Sequence, residues 1–188
     1  CGVMVARRIL VPPVGVRIPP RQLKLLNFRN FFLYHNTSFN LIIRDIFMKN
    51  YNYTPENITS LGQDEVFVFG SNLQGNHAGG AARTAMRLFG AKMGQGVGMQ
   101  GQSYAIPTMQ GGVETIKPYV DDFIDLAREW DQTTFYVTRI GCGIAGFTDE
   151  EIAPLFDEAL DLYNVRLPES FVKIILDRRK SRAAENNL

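Results

Sequence analysis

Cysteine is nearly missing. The 188 residues hold two, Cys1 and Cys142. Two thiols cannot build the multi-bridge framework of a small secreted domain, and they exclude a four-sulfur zinc site. Long hydrophobic runs are missing as well. The most apolar stretches, such as 41–47, carry charges and are too short to cross a bilayer. No internal repeat and no low-complexity tract occurs. What is there is ordinary: 45% hydrophobic and 21% charged residues, with a net charge of +1. That balance excludes collagen-like and disordered chains, and the length suits one domain, or one domain with an appendage. A reducing, cytoplasmic setting and no membrane contact are the expectation.

Acid is scarce at one end. Residues 1–47 carry seven Lys or Arg but one acid, Asp45, which leaves 13 basic and 18 acidic residues in 48–188, a net of −5. An acidic body does not draw in a polyanion such as duplex DNA through its overall field. Residues 1–22 are rich in Arg, Val and Pro, with the pairs Pro12-Pro13 and Pro19-Pro20, and show no helical or strand period. The string Val16-Arg17-Ile18-Pro19 is what a tRNA T-arm sequence encodes when read in frame. We therefore expect 1–47 to be a non-native or disordered extension and 48–188 to be the domain, starting naturally at Met48. The rivals are a basic nucleic-acid-binding arm, which would cluster its Lys and Arg, and a secretory signal, which needs a continuous apolar core and a small-residue cleavage site.

The body alternates strand and helix patterns. Val66-Phe67-Val68-Phe69 is a short β-prone run ending at Gly70, as a buried parallel strand does. Residues 78–89 read as an Ala-rich helix stopped by Gly90. A glycine-studded loop over 94–101 precedes a strand at 103–106, halted by Pro107. Val120, Phe123, Ile124, Ala127 and Trp130 repeat at helical spacing. Residues 135–140 read as a strand. Thr148 and Glu151 form a capping box, and Ile152, Leu155, Phe156, Ala159, Leu160 and Tyr163 line one helix face behind it. Residues 171–176 read as the last strand, and the charged tail from Arg178 as frayed. This order implies a mostly parallel sheet covered by helices, whose ligands bind at the carboxyl ends of the strands. The glycines sit at those ends: 11 of 17 lie in 70–112, and Gly141, Gly143 and Gly146 add three more.

Two loops carry the functional signal. The first is Gly70-Ser71-Asn72-Leu73-Gln74-Gly75-Asn76-His77-Ala78-Gly79-Gly80-Ala81-Ala82, joining a strand to a helix N-terminus. The second is Gly141-Cys142-Gly143-Ile144-Ala145-Gly146-Phe147, ahead of the capped helix. Glycines let backbone N–H groups approach an anion, and a helix N-terminus favours negative charge. Two such loops at one sheet edge can grip a diphosphate from both sides. The bland alternative is a pair of tight turns. Neither loop is a Walker loop or the spaced dinucleotide fingerprint.

These residues resemble the macrodomain, the ADP-ribose-binding module. Val68-Phe69-Gly70-Ser71-Asn72 is similar to its strand ending in Asn-Ala-Ala-Asn, with Asn72 at the last Asn. Ala78-Gly79-Gly80-Ala81 resembles the Gly-Gly-Gly-Val loop, and Gly141 to Phe147 resembles the loop Ser-Thr-Gly-Val-Tyr-Gly-Tyr. Residues 103–108 are similar to the third-strand region. The resemblance covers about 62–177. More specific still, bacterial and phage macro-like proteins carry Phe-Gly-Ser-Asn-Leu-x-Gly, Gln-Gly-x-Ser-Tyr-Ala-Ile-Pro-Thr and Gly-Cys-Gly-x-Ala-Gly, which this chain matches closely.

The resemblance implies a three-layer α/β/α fold with a mostly parallel central sheet. It implies that Asn72 hydrogen-bonds the distal ribose, that the loop from Gly75 to Gly80 lines that ribose and the phosphates, that the backbone of Gly143, Ile144, Ala145 and Gly146 cradles the diphosphate, and that Phe147 packs on the ribose. The ligand would be ADP-ribose or an ADP-ribosylated substrate, with no metal or cofactor. Two departures stand out. Hydrolytic macrodomains often carry an Asp just after the glycine loop, where this chain has Ala82. The early adenine-binding Asp has no match, Asp64 being the nearest acid. His77 is the candidate acid or base near neutral pH, against the commoner role of a lone loop histidine as a surface or hydrogen-bonding residue. Cys142, between two glycines before a helix, is expected to have a lowered pKa, though with no His near it in sequence the reading as a small loop filler is preferred to that as a nucleophile. Three functions stay open: an ADP-ribosyl hydrolase, a non-catalytic ADP-ribose or nucleotide reader, and a binding module using the basic first segment.

Overall fold

The computed structural model describes Met48 and residues 51–186. The expectations for 1–47 lie outside the described residues. A five-stranded sheet forms the frame, from β1 (Glu65–Ser71), β2 (Gly98–Gln100), β3 (Ser103–Pro107), β4 (Thr134–Val137) and β5 (Val165–Arg166). Its order is β2-β3-β1-β4-β5. β1 runs parallel to both neighbours, β4 parallel to β5, and only the edge strand β2 is antiparallel. Among the described residues it is accompanied by the α-helices α1 (Gly80–Leu88), α2 (Val113–Glu129), α3 (Asp149–Ile152) and α4 (Glu169–Glu185). Among the described residues no helix is long and apolar enough to cross a membrane.

The continuous apolar run of β1 reflects burial on both sheet faces. Val66 and Val68 enter one core, with Phe123 of α2, Ile152 of α3 and Phe171 of α4. Phe67 and Phe69 enter a second core, with Ala82, Ala85 and Phe89 from α1 and its end. The helix after β1 and the helix after β4 thus pack on opposite faces. β1 and β4 are adjacent, so their carboxyl ends flank a topological switch point, where such sheets hold their ligands.

Several elements differ from what the sequence implies. Residues 171–176 are helical, within α4. Phe171, Val172, Ile175 and Leu176 are the buried positions, a spacing that makes one helical stripe. The β-branched content of the run disguised it. Nor is the segment after Arg178 frayed: Arg179 pairs with Asp157 and Asp161 at 2.8 Å each. The helix expected behind Thr148 is one α-turn followed by two short 3₁₀ helices, Ala153–Phe156 and Glu158–Asp161. Pro154 has no N–H to continue the α-helical ladder. Ile152, Phe156, Ala159 and Leu160 are still buried, but Tyr163 is exposed. Within the glycine-studded stretch 94–101 lies β2, and β4 ends at Val137 rather than 140.

Asn164, which the sequence reading passed over, ties α2 to β4. Its buried Nδ2 donates to Ala127 O, Trp130 O and Thr133 O at 2.9, 3.1 and 3.0 Å. Asn164→Ala strands the carbonyls of Ala127 and Thr133, while Trp130 O keeps the Thr133 N–H, and is expected to cost about 2–3 kcal/mol, read as a lower urea midpoint with unchanged slope.

Candidate functional site

The first loop leaves β1 at Ser71 and is folded on itself. Asn72 O accepts Gly75 N–H at 3.0 Å, and Asn72 Oδ1 accepts Asn76 N–H at 2.9 Å. The Asn72 Nδ2 group has no partner among the described residues. Ser71 is buried, and its carbonyl accepts both the N–H and the hydroxyl of Thr108, at 2.9 and 3.3 Å. Gly75 has φ +65, and a Cβ there would stand 2.6 Å from Gly94 C. The 94–96 backbone therefore forms the floor under this loop.

The second loop follows β4. Thr138 N–H and hydroxyl still reach Val68 O, at 3.0 and 2.9 Å, so the loop starts pinned to β1. Gly141, with φ +74, is buried against Ile152 and Phe147. Gly146 N–H donates to Gly143 O and Phe147 N–H to Gly141 O, both at 3.0 Å. The loop then enters α3 through the full capping box of Thr148 and Glu151, as the sequence indicated.

The two loops meet. A Cβ on Gly70 would lie 3.3 Å from Gly141 N and 3.5 Å from Thr108 Oγ1, and one on Gly79 would lie 3.0 Å from Ile144 Cδ1. Between them they present backbone donors. Gly79 caps α1 without any side-chain hydrogen bond, and the first turn carries no acid. The first N–H groups of a helix have no intrahelical acceptor, so those of Gly80, Ala81 and Ala82 are free. Across the contact, the N–H groups of Gly143, Ile144 and Ala145 donate to no described backbone or side-chain acceptor. Consecutive free N–H groups of this kind are the type of donor that can hold an anion. Gly146, which the resemblance placed in that cradle, spends its N–H on the turn instead.

Charge favours an anion on the side of the first loop, while the first turn of α3, after the second loop, carries Asp149, Glu150 and Glu151. Residues 66–113 contain Arg83, Arg87 and Lys92 and no Asp or Glu. The nearest acid to the second loop, Asp149, is paired with Arg139 at 2.8 Å, which helps hold its carboxyl below the usual range although burial opposes this. Cys142 departs from expectation. Burial first, and Asp149 second, push its thiol up to about 12, so the helix N-terminus yields no thiolate. The sulfur lies 3.4 Å from Ile140 O and fills space in the loop.

His77 is not at the loop surface. Its ring is fully buried, edge-on to Phe69 with centroids 5.1 Å apart, and Nε2 lies 3.0 Å from Ser71 Oγ. Direct acid–base work would need that ring to reach the ligand face. Phe147 is half-buried beside Gly141, and Ile144 is 75% exposed where the loops touch. Thr108 and Met93 join the site without having been singled out. Thr108 follows a strand end and was findable by that rule; Met93, whose sulfur accepts His77 N–H at 3.4 Å, had no sequence signal. Among the described residues no three His, Cys, Asp or Glu gather as metal ligands do.

No family model, curated protein or solved structure matches the chain.

Proposed function

We propose that the paired loops bind ADP-ribose, free or attached to a protein, nucleic acid or metabolite, and that the domain is a three-layer macrodomain-like module. One observation carries this reading. Two runs of unbonded N–H groups, 80–82 and 143–145, belong to loops that touch at Gly79 and Ile144. A diphosphate is the ligand part that both runs can hold together. The free Nδ2 of Asn72 then meets the distal ribose, with Phe147 beside it.

A hydrolytic step is compatible with this binding mode. Holding the ribose fixed and the anomeric carbon open to water lowers the barrier by orientation, and the bound diphosphate itself can orient the water. A non-catalytic reader is the second reading. Ala82 where hydrolytic relatives carry Asp, the absence of any carboxylate in 66–113, and the enclosed ring of His77 favour it. Calorimetric titration with ADP-ribose tests the binding. Release of ADP-ribose from a mono-ADP-ribosylated protein then separates the two readings: binding with release supports the hydrolase, and binding without release the reader.

Asn72→Ala removes the ribose contact and one loop bond. Its ADP-ribose affinity is expected to fall at least about tenfold while the domain loses only about 1 kcal/mol of stability. Parental affinity in that variant would show the assignment of Asn72 to be wrong.

A further inference from the structure

We propose that His77 is the positioning residue of the first loop: as a neutral imidazole it holds the backbone of Asn72 through Ser71, and so sets the carboxamide offered to the ligand. The proposal rests on Asn72 being a ligand contact. Its geometry stands without that.

Nε2 of His77 lies 3.0 Å from Ser71 Oγ, and that hydroxyl donates to Asn72 O at 3.2 Å. A hydroxyl has one proton to give. With that proton on Asn72 O, Nε2 must carry its own hydrogen and donate to Oγ. Nδ1 is then a bare acceptor, and it is indeed the ring atom with no partner. The opposite tautomer would strand a buried N–H, which folded proteins rarely do. The hydrogen bonds therefore run one way, from His77 to Ser71 to Asn72. Asn72 closes the loop in turn, with Gly75 N–H on its carbonyl and Asn76 N–H on Oδ1. Both oxygens are fixed, and Nδ2 is left for the ligand.

Protonation would break this arrangement. It would put a hydrogen on Nδ1, which faces no acceptor, and a charge among Phe69 and the packed loops. The surrounding segments offer no counter-charge: between 66 and 113 the charged groups are Arg83, Arg87 and Lys92, all cations, and Glu65 begins β1 at its far end. Burial alone lowers the imidazole below its usual range. The loop is thus built around neutral histidine, and acid should loosen it.

The test follows the ring and the ligand together in the full chain. Histidine nitrogen NMR is expected to show His77 neutral at pH 7, with its proton on Nε2. Parental ADP-ribose affinity is expected to fall at least about tenfold as the ring protonates at acid pH. His77→Gln supplies an amide N–H at similar reach and does not titrate, so neutral-pH affinity should stay within about threefold of the parent and the pH profile should flatten. His77→Phe fills the space without a donor. It should bind at least about tenfold more weakly at every pH and exchange the Gly75 and Asn76 amide hydrogens faster. A proton on Nδ1, an imidazolium at pH 7, or unchanged Gly75 and Asn76 exchange in His77→Phe would overturn the proposal. If the parent itself binds no ADP-ribose, the functional reading fails, while tautomer and exchange still decide the positioning role.

Discussion

Ala81→Asp is expected to weaken ADP-ribose binding by about 100-fold while leaving the folded domain close to parental stability. Ala81 is the second residue of α1, half-buried, in a first turn with no acid and no side-chain cap. Most helix N-termini gain about 0.3–1 kcal/mol from a carboxylate there. Here the gain is offset by the cost of setting a carboxylate against the Phe67 and Phe69 core, on which Ala81 packs. Binding responds in the other direction. A carboxylate about 5 Å from a bound phosphate, at an effective dielectric near 20, opposes it by about 3 kcal/mol, which is about 100-fold in affinity. Ala81→Asn, of similar size and without charge, should stay within about threefold of the parent. Calorimetry reads the affinity and thermal unfolding the stability. Parental binding in Ala81→Asp would place the phosphates elsewhere.

Gly96→Ala is expected to destabilise the first loop by about 3 kcal/mol and to weaken ADP-ribose binding at least about tenfold, as Asn72→Ala does, though residue 96 carries no side chain and lies outside both glycine loops. A Cβ at this position would collide with Asn72 O and stand 2.7 Å from Leu73 O. Asn72 O is already committed to Gly75 N–H and to the Ser71 hydroxyl. The backbone at 72–73 can yield only by giving up those bonds, and the carboxamide of Asn72 moves with it. Gly98→Ala is the comparison, since open space surrounds its Cβ. Its positive φ of +79 still strains an alanine by about 1–2 kcal/mol, but with no clash on Asn72 the variant keeps its binding. Hydrogen exchange at Gly75 and Asn76 shows whether the damage is at the loop, and unfolding in urea gives its size.

Much of the fold was legible because burial and periodicity agreed. The run Val66 to Phe69 could only be a strand covered on both faces, and Val120, Phe123, Ile124 and Ala127 could only be one helix face. The legibility failed where two periods fitted the same residues. Phe171 to Leu176 is six residues long, β-branched and apolar, and only the burial of 171, 172, 175 and 176 reveals the helix. β2 and β5 were hidden because three and two residues leave no period to read. At the site, glycines and strand ends located both loops, because the need for backbone approach is written in residue type. Which N–H groups remain free is not so written. Gly146 and Gly143 look alike in sequence, yet one N–H closes a turn and the other does not. The enclosure of His77 was equally invisible, since it depends on Phe69 and Met93 closing on it from elsewhere in the chain.

The most direct measurement is an amide NMR titration of the chain with ADP-ribose, with AMP and ribose 5-phosphate as separate arms. The largest shifts are expected at the N–H groups of Gly80, Ala81 and Ala82 and of Gly143, Ile144 and Ala145, both runs moving together with one saturation curve. Either half-ligand should move them less at equal concentration. Shifts confined to one loop, shifts centred elsewhere on the sheet, or no response at millimolar ADP-ribose would contradict a shared diphosphate cradle.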